Sequence, residues 1–242
     1  MSPVAAARCA ADKLAVGGLQ PFTSIDYPGA LAAVVFVQGC AWRCSYCHNP
    51  QLQARGAARG PAWAELRPWL ARRARVLDAL VFSGGEPTLD PALPQAMREA
   101  RTLGYRIGLH TAGMSPRRLE PLLALVDWVG LDVKAPLDDD ALHERLSGVR
   151  GAAAAVRASL DALQASGVAY ECRTTVHPSL LEQGRLARVV AQLGARGVAR
   201  HALQACRPTA DAPHAAAAGW PDAATLVELT RSRPALLLRP AA

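Results

Sequence analysis

The sequence predicts an α/β fold, a partial (β/α)6 barrel similar to part of a TIM barrel. Three observations predict it: six short β-branched or apolar segments, helix-like segments between them, and no linker rich in Gly, Ser or Pro that would divide the chain. Strands that alternate with helices form parallel sheets with right-handed connections. The chain has 242 residues, 51% of them hydrophobic, which is enough for a single domain over residues 1–242.

The predicted elements follow one another in strict alternation. The strands are expected at 31–37, 79–82, 106–110, 128–133, 170–176 and 200–204. Apolar residues at helical spacing predict helices at 62–77, 92–103, 116–125, 152–165, 180–193 and 221–231. Gly104, Gly167 and Gly194 mark predicted helix ends, because glycine adopts the left-handed conformation at little cost. The core of the domain is expected at about 17–207, with the last helix and a tail after it.

Unusual residues follow four of the predicted strands. They form a cysteine-rich loop after the first strand and the segments 83–88, 110–113 and 132–136 after the next three. Ligands of parallel α/β folds bind at the carboxyl ends of the strands. The sequence therefore predicts one site at this edge of the sheet.

Charge and hydropathy exclude some classes of protein. Twenty-seven Lys and Arg against twenty Asp and Glu give a net charge of +7, which suits an acidic partner but is also typical of a solvated, Arg-rich surface. No basic block with interleaved aromatics is present, so we expect no nucleic-acid partner. No apolar run approaches the roughly 20 residues of a membrane span, and the first residues lack a secretory apolar region. We expect a cytoplasmic protein that does not bind membranes.

Three of the six cysteines are clustered. Cys40, Cys44 and Cys47 share one loop, whereas the other three stand singly, at Cys9, Cys172 and Cys206. Clustered thiols in a chain without a signal peptide indicate metal or redox chemistry and not a disulfide framework. Three thiolates can hold a [4Fe–4S] cluster and leave one iron open to a ligand. A zinc site is the alternative, with its fourth ligand from His48, Cys172 or Cys206. His48 directly follows Cys47, which makes it geometrically difficult for both to bind the same ion.

A second motif, Gly84-Gly85-Glu86, directly follows the second predicted strand. Paired glycines let the backbone approach a ligand closely, and Glu86 adds an acceptor for an ammonium group. Alone, these residues predict only a turn. One β/α unit after the cysteine loop, they indicate ligand binding more specifically.

With these two motifs, the sequence resembles the radical S-adenosylmethionine (SAM) enzymes. Cys40, Cys44 and Cys47 match the family's C-x₃-C-x₂-C signature, with the usual aromatic residue, Tyr46, before the last cysteine. The fold expected is therefore a partial barrel of the radical SAM type. Segments 18–29, 47–50 and 132–136 are similar to those of proteins that activate glycyl radical enzymes, especially anaerobic ribonucleoside-triphosphate reductase. The resemblance covers essentially residues 17–207.

The resemblance implies one [4Fe–4S] cluster, held by Cys40, Cys44 and Cys47, with SAM bound at the open iron. An electron from the cluster would cleave SAM to methionine and a 5′-deoxyadenosyl radical, which would take a hydrogen atom from a glycine of a partner glycyl radical enzyme. No cysteine lies between Cys47 and Gly84, so no second cluster is expected there. A flavodoxin or ferredoxin would supply the electron, and the +7 charge would assist its approach because such donors are usually acidic.

The resemblance also implies roles for individual residues. Gly84, Gly85 and Glu86 would hold the methionine ammonium, and the backbone of Tyr46 would lie near the adenine. The remaining cofactor-binding candidates are Thr111, Asp132, Lys134, Arg173 and His177. Related activases place Asn where Ala112 stands, which removes a polar contact next to Thr111. Lys134 suits a carboxylate, although an ion pair with Asp132 is a simpler interpretation.

Two other functions are left open. A radical SAM enzyme that modifies a small molecule or peptide would use the same motifs but would close the barrel mouth with additional C-terminal elements. The short segment after the sixth predicted strand favours an open mouth and a macromolecular substrate. A zinc-stabilised nucleic-acid-binding module would leave Gly84-Gly85-Glu86 without a role.

Overall fold

The centre of the fold is an eight-stranded sheet whose strands lie side by side in chain order. The computed structural model describes residues 10–56, 60–207, 220–233 and 235–240. The strands are β1 (Val16–Thr23), β2 (Ala32–Val37), β3 (Ala79–Gly84), β4 (Arg106–Thr111), β5 (Trp128–Asp132), β6 (Ala169–Val176), β7 (His201–Ala205) and β8 (Leu236–Arg239). β1 pairs with β2 antiparallel, and every later neighbour pairs parallel. The predicted α/β class is confirmed, and β2 to β7 are the six predicted strands.

The two outer strands were not predicted. β1 contains Gly17, Gly18 and Pro21, residues that weaken a strand pattern but are tolerated at the edge of a sheet. β8 has only four residues and pairs with β7 at the other edge. The parallel part of the sheet therefore has seven strands where the sequence predicts six.

Helices connect the parallel strands. They are α1 (Trp63–Arg73), α2 (Leu93–Thr102), α3 (Pro116–Leu119), α4 (Asp140–Ser147), α5 (Ala152–Ser166), α6 (Pro178–Leu181), α7 (Arg185–Ala195) and α8 (Ala223–Ser232). All six predicted helices are present, but α3 is much shorter than 116–125 because a 3-10 turn with Pro121 follows it. The predicted segment 180–193 is divided between α6 and α7, and α4 was not predicted.

One predicted helix end was wrong. Gly104 and Gly167 are left-handed, with φ of 95° and 71°, and they follow α2 and α5 as expected. Gly194 instead lies inside α7, and the left-handed residue after that helix is Gly197, with φ of 71°. Gly194 and Gly197 are both suitable helix ends by sequence, and α7 continues past Gly194 so that Gly197 is the left-handed residue after it.

The two faces of the sheet have different partners. Alternate residues such as Val35, Phe82 and Leu109 pack with the helices in the main hydrophobic core. Residues of the other parity, including Val34 and Val81, form a second core with the ring of Trp128 on the inner face. Helices on one face and a small apolar floor on the other are the arrangement of a partial barrel. No helix in the described ranges combines the length and apolar character needed to cross a membrane.

Candidate active site

The cysteine loop leaves β2 and is closed at its base by backbone hydrogen bonds. The amide of Gly39 donates to the carbonyl of Leu52 (2.8 Å), and the amide of Cys40 donates to that of Gln53 (2.9 Å). Gly39 turns the chain at φ 97°, a conformation that favours glycine. The two ends of the loop are therefore held together, and the cysteines lie in the segment between them.

Helix α4 supports the outer part of this loop. The amides of Arg43 and Ser45 donate to the carbonyls of Ser147 (2.8 Å) and Leu146 (3.3 Å), in the last turn of α4. Helix ends leave such carbonyls without intrahelical partners, so the loop satisfies them. This helix was not predicted, although the Asp139 side chain accepts the Leu142 amide in its first turn and left-handed Gly148 ends it.

The cysteine loop and the carboxyl ends of the strands enclose a cavity of about 240 Å³. Most of the predicted site residues line it: Cys40, Cys44, Cys47, Tyr46, Gly84, Gly85, Thr111, Asp132, Lys134 and Arg173. It is also lined by residues that were not predicted as site residues: Trp42, His48, Asn49, Gln53, Ser83, His110, Ala112, Thr175 and Gln204. Segments far apart in the sequence thus meet at the predicted edge of the sheet.

The three clustered thiols fit an iron–sulfur cluster. All three are free, partly buried and around the same cavity, and burial raises the pKa of Cys40 to about 11 and also raises that of Cys44. Iron would displace those protons on binding. Within the described ranges, no three Cys, His, Asp or Glu side chains meet closely enough to hold one ion. Thiolates of a [4Fe–4S] cube bind different irons and need not meet at one point.

The single cysteines are placed differently. Cys172 is buried in the core between the sheet and the helices, and Cys206 is buried after β7. Neither of these two described cysteines lines the cavity. His48 does line it, and its Nε2 accepts a hydrogen bond from the amide of Arg207 (3.4 Å). Cys9 lies outside the described residues.

Gly84 and Gly85 pack against the base of the cysteine loop. A Cβ on Gly84 would lie 2.4 Å from the backbone nitrogen and oxygen of Val37, and one on Gly85 would lie 2.6 Å from the oxygen of Gly39. Both residues also line the cavity. The sequence suggested that these glycines admit a ligand, and the structure adds a second reason: they admit the backbone that precedes Cys40.

Glu86 differs from its predicted role as an ammonium acceptor. Its carboxylate is fully buried and accepts hydrogen bonds from the Thr88 amide (3.2 Å) and hydroxyl (2.7 Å), the Thr111 hydroxyl (2.7 Å) and the Ala112 amide (2.9 Å). Ala112 therefore contributes its backbone here, although its side chain offers no polar contact. Glu86 joins the segments after β3 and β4, which both face the cavity.

Glu86→Gln should destabilise the fold. An amide has one acceptor oxygen, so the Ala112 amide would lose its partner, at a cost of about 1–3 kcal/mol in the free energy of unfolding. Burial raises the pKa of Glu86 above its ordinary value, and the hydrogen bonds from Thr88, Thr111 and Ala112 act in the opposite direction. Urea unfolding at neutral pH should show the lower stability of the variant. Exposed Glu144→Gln is the control and should change nothing; equal stability of Glu86→Gln and wild type would contradict the assignment.

Lys134 and Asp132 form an ion pair on the cavity wall. The Nζ of Lys134 lies 3.1 Å from Oδ2 of Asp132 and 5.6 Å from the centre of the Tyr46 ring. Burial opposes the charge of Lys134, but the groups around it, Asp132 among them, hold its pKa well above the ordinary value. His177 does not line the cavity; its ring packs against Tyr46 at 5.2 Å between centroids and caps α6. His177 thus supports Tyr46 from behind.

Arg173 and His110 form the deeper wall. The Arg173 guanidinium is nearly buried and lies 5.0 Å from the Trp128 ring centre. Its Nη2 lies 3.0 Å from Nε2 of His110, which also lies 2.9 Å from the backbone oxygen of Asp26. Burial, together with the charge of Arg173, holds the pKa of His110 well below its ordinary value, so the imidazole is neutral. The tautomer of the ring decides whether Nε2 donates to Asp26 or accepts from Arg173. His110 was predicted only as part of the segment 110–113, and the signal for its role was its place at the end of β4.

Comparison with known proteins identifies the family. The model of the radical SAM superfamily matches residues 34–204, and the chain belongs to that family of enzymes. Enzymes of this family use a [4Fe–4S] cluster and SAM, which agrees with three free thiols around one cavity.

Two relatives are similar to it over most of their length, and a third is similar over a shorter part. A protein of Methanocaldococcus jannaschii described as a glycyl-radical enzyme activating enzyme is 30% identical over 181 residues, 71% of this chain and 72% of that protein. The pyruvate formate-lyase-activating enzyme of Clostridium pasteurianum is 32% identical over 174 residues, 70% of this chain and 71% of that protein. The PqqA peptide cyclase of Gluconobacter oxydans is 34% identical over 145 residues, but these cover 57% of this chain and 39% of that protein.

Solved structures share the fold. The enzyme anSMEcpe, solved with bound AdoMet, is similar with a TM-score of 0.57 and 17% identity, covering 70% of this chain. Streptococcus suis SuiB, solved with its precursor peptide SuiA, gives a TM-score of 0.58 and 16% identity over 86% of this chain. The matched regions span about half the length of each of those chains, 49% and 48%. Both confirm the predicted partial barrel.

Proposed function

We propose that this chain activates a glycyl radical enzyme, and that its partner is an anaerobic ribonucleoside-triphosphate reductase. The observation that carries the proposal is the convergence of Cys40, Cys44 and Cys47 with the Gly84-Gly85 backbone on one cavity. Two relatives described as activating enzymes, each matched over more than two thirds of its length, support the activase role. The choice of reductase rests on segments 18–29, 47–50 and 132–136.

Each part of the cavity has a task in this proposal. Cys40, Cys44 and Cys47 would hold the cluster, which when bound supplies the electron for reductive cleavage of SAM. Gly84 and Gly85 present backbone groups to the methionine end. Lys134 and Arg173 both bring positive charge to the cavity lining, which suits the SAM carboxylate.

Activation also requires an electron donor and a suitable compartment. We propose an acidic flavodoxin or ferredoxin, because a net charge of +7 favours its encounter with this chain. The cytoplasm suits the reaction, since its reducing conditions keep cluster-binding thiols free of disulfides.

The first test is SAM cleavage. Protein reconstituted anaerobically with iron and sulfide, then reduced and given SAM, should yield 5′-deoxyadenosine by mass spectrometry only when cluster and reductant are both present. No product from a well-formed cluster, with or without a partner, would contradict the proposal.

The second test identifies the partner. Incubation with anaerobic ribonucleoside-triphosphate reductase should produce a glycyl radical signal in electron paramagnetic resonance, and pyruvate formate-lyase is the comparison substrate. A signal with pyruvate formate-lyase alone would keep the activase role and overturn the choice of reductase. Cleavage of SAM with neither enzyme activated would favour peptide modification, the activity in the name of the PqqA peptide cyclase relative.

A further inference from the structure

A buried carboxylate lies below the cavity and joins three arginines. Glu171, on the inner face of β6, is fully buried. The Nη1 and Nη2 atoms of Arg239, on β8, lie 2.9 and 3.0 Å from its two oxygens. Nε of Arg173 lies 3.3 Å from the same carboxylate, and Nη2 of Arg200 lies 3.7 Å away. One negative charge therefore has three positive neighbours, which leaves positive charge beneath the cavity.

The Arg239 contact is the strongest of the three by geometry. Its guanidinium meets both carboxylate oxygens in a fork, the arrangement that fixes direction as well as distance. Arg200 is half exposed and approaches one oxygen at a longer distance, so solvent screens it more. The orientation of Glu171 is thus set from the last strand of the sheet.

Glu171 in turn holds Arg173, which lines the cavity. Nε of Arg173 donates to Glu171 (3.3 Å), and its Nη2 lies 3.0 Å from Nε2 of His110. The Arg173 side chain passes over Gly130, and a Cβ added to Gly130 would lie 2.7 Å from Cζ of Arg173. Because Trp128 also packs on it, the guanidinium is fixed in one place and requires no ordering when an anion enters.

We propose that Arg239 is a positioning residue for SAM binding: through Glu171 it holds the Arg173 guanidinium in the orientation that receives the SAM carboxylate. This inference rests on the proposed function, since it takes SAM as the ligand of the cavity. Arg239 itself acts from β8 and does not line the cavity in the described part of the chain.

A double-mutant cycle on the SAM dissociation constant tests the proposal. The constant is measured by anaerobic equilibrium dialysis on cluster-reconstituted protein, for wild type, Arg239→Gln, Arg173→Gln and the double variant. Each single variant should weaken binding about tenfold, and the double variant should bind no more weakly than Arg173→Gln, because residues of one network are coupled. A merely structural contribution of Arg239 would instead add to the effect of Arg173→Gln.

Two further variants keep the test decisive. Arg200→Gln is the matched control, which removes the same charge from the same carboxylate and should change SAM affinity less than twofold. Glu171→Gln should reproduce the loss seen for Arg239→Gln, and it provides the result if that variant does not fold. Wild-type affinity for Arg239→Gln or for Arg173→Gln, or additive losses, would overturn the inference. Absence of SAM binding by the wild type would instead reject the proposed function.

Discussion

Replacement of Cys44 by alanine should abolish both the cluster and SAM cleavage. Two remaining thiolates would leave two of the four irons without a protein ligand, where the family's site leaves only one open. Reconstituted Cys44→Ala should retain iron and sulfide near background and yield no 5′-deoxyadenosine. The measurements are iron and sulfide content, visible absorption and the nucleoside assay.

Cys206→Ala is the matched control for this experiment. It removes a buried thiol at the end of β7 that does not line the cavity in the described residues. Cluster content and cleavage should stay close to wild type. Loss of metal in Cys206→Ala would instead support the zinc alternative, in which Cys206 completes the ligand set. Normal cleavage by Cys44→Ala would remove the basis of the site assignment.

The parts of the site that could be predicted are local in sequence. Cys40, Cys44 and Cys47 share one loop, and Gly84-Gly85 directly follows a strongly apolar strand. Strand ends in a parallel sheet share one edge, so placing these motifs together required only the alternation of strands and helices. Cys40, Cys44 and Cys47 line one cavity together with Gly84 and Gly85.

The parts that were missed depend on contacts between distant segments. The Glu171–Arg239 pair spans 68 positions, and neither residue stands out by type in an Arg-rich chain. Helix α4 has eight residues, too few for a clear apolar period, and its link to the cysteine loop runs through backbone atoms. Glu86 was identified as a site residue, but its four donors come partly from β4, so its burial could not be inferred from the motif.

The structure also changes what is expected of the glycine motif. If Gly85 only admitted SAM, a side chain there would leave the cluster intact and obstruct SAM alone. In the fold, a Cβ there would lie 2.6 Å from the oxygen of Gly39 and 2.9 Å from that of Leu52. Both are backbone atoms that cannot rotate away, and Gly39 directly precedes Cys40. The same Gly39 oxygen accepts the amide of Glu86 at 2.8 Å, so the contact joins both motifs.

Gly85→Ala should therefore lower iron content as well as SAM affinity. Overpacking of this kind costs about 1–3 kcal/mol, which the loop can relieve only by moving Cys40 and its neighbours. Gly18→Ala is the control, because its added methyl would meet Phe36 at an ordinary 3.8 Å. Iron content and SAM affinity of both variants, measured after the same reconstitution, decide the matter. A full cluster with weakened SAM binding in Gly85→Ala would show that the glycine serves the ligand alone. Parallel losses would show that the two motifs of this chain depend on each other through the close approach of Gly85 to the Gly39 and Leu52 oxygens.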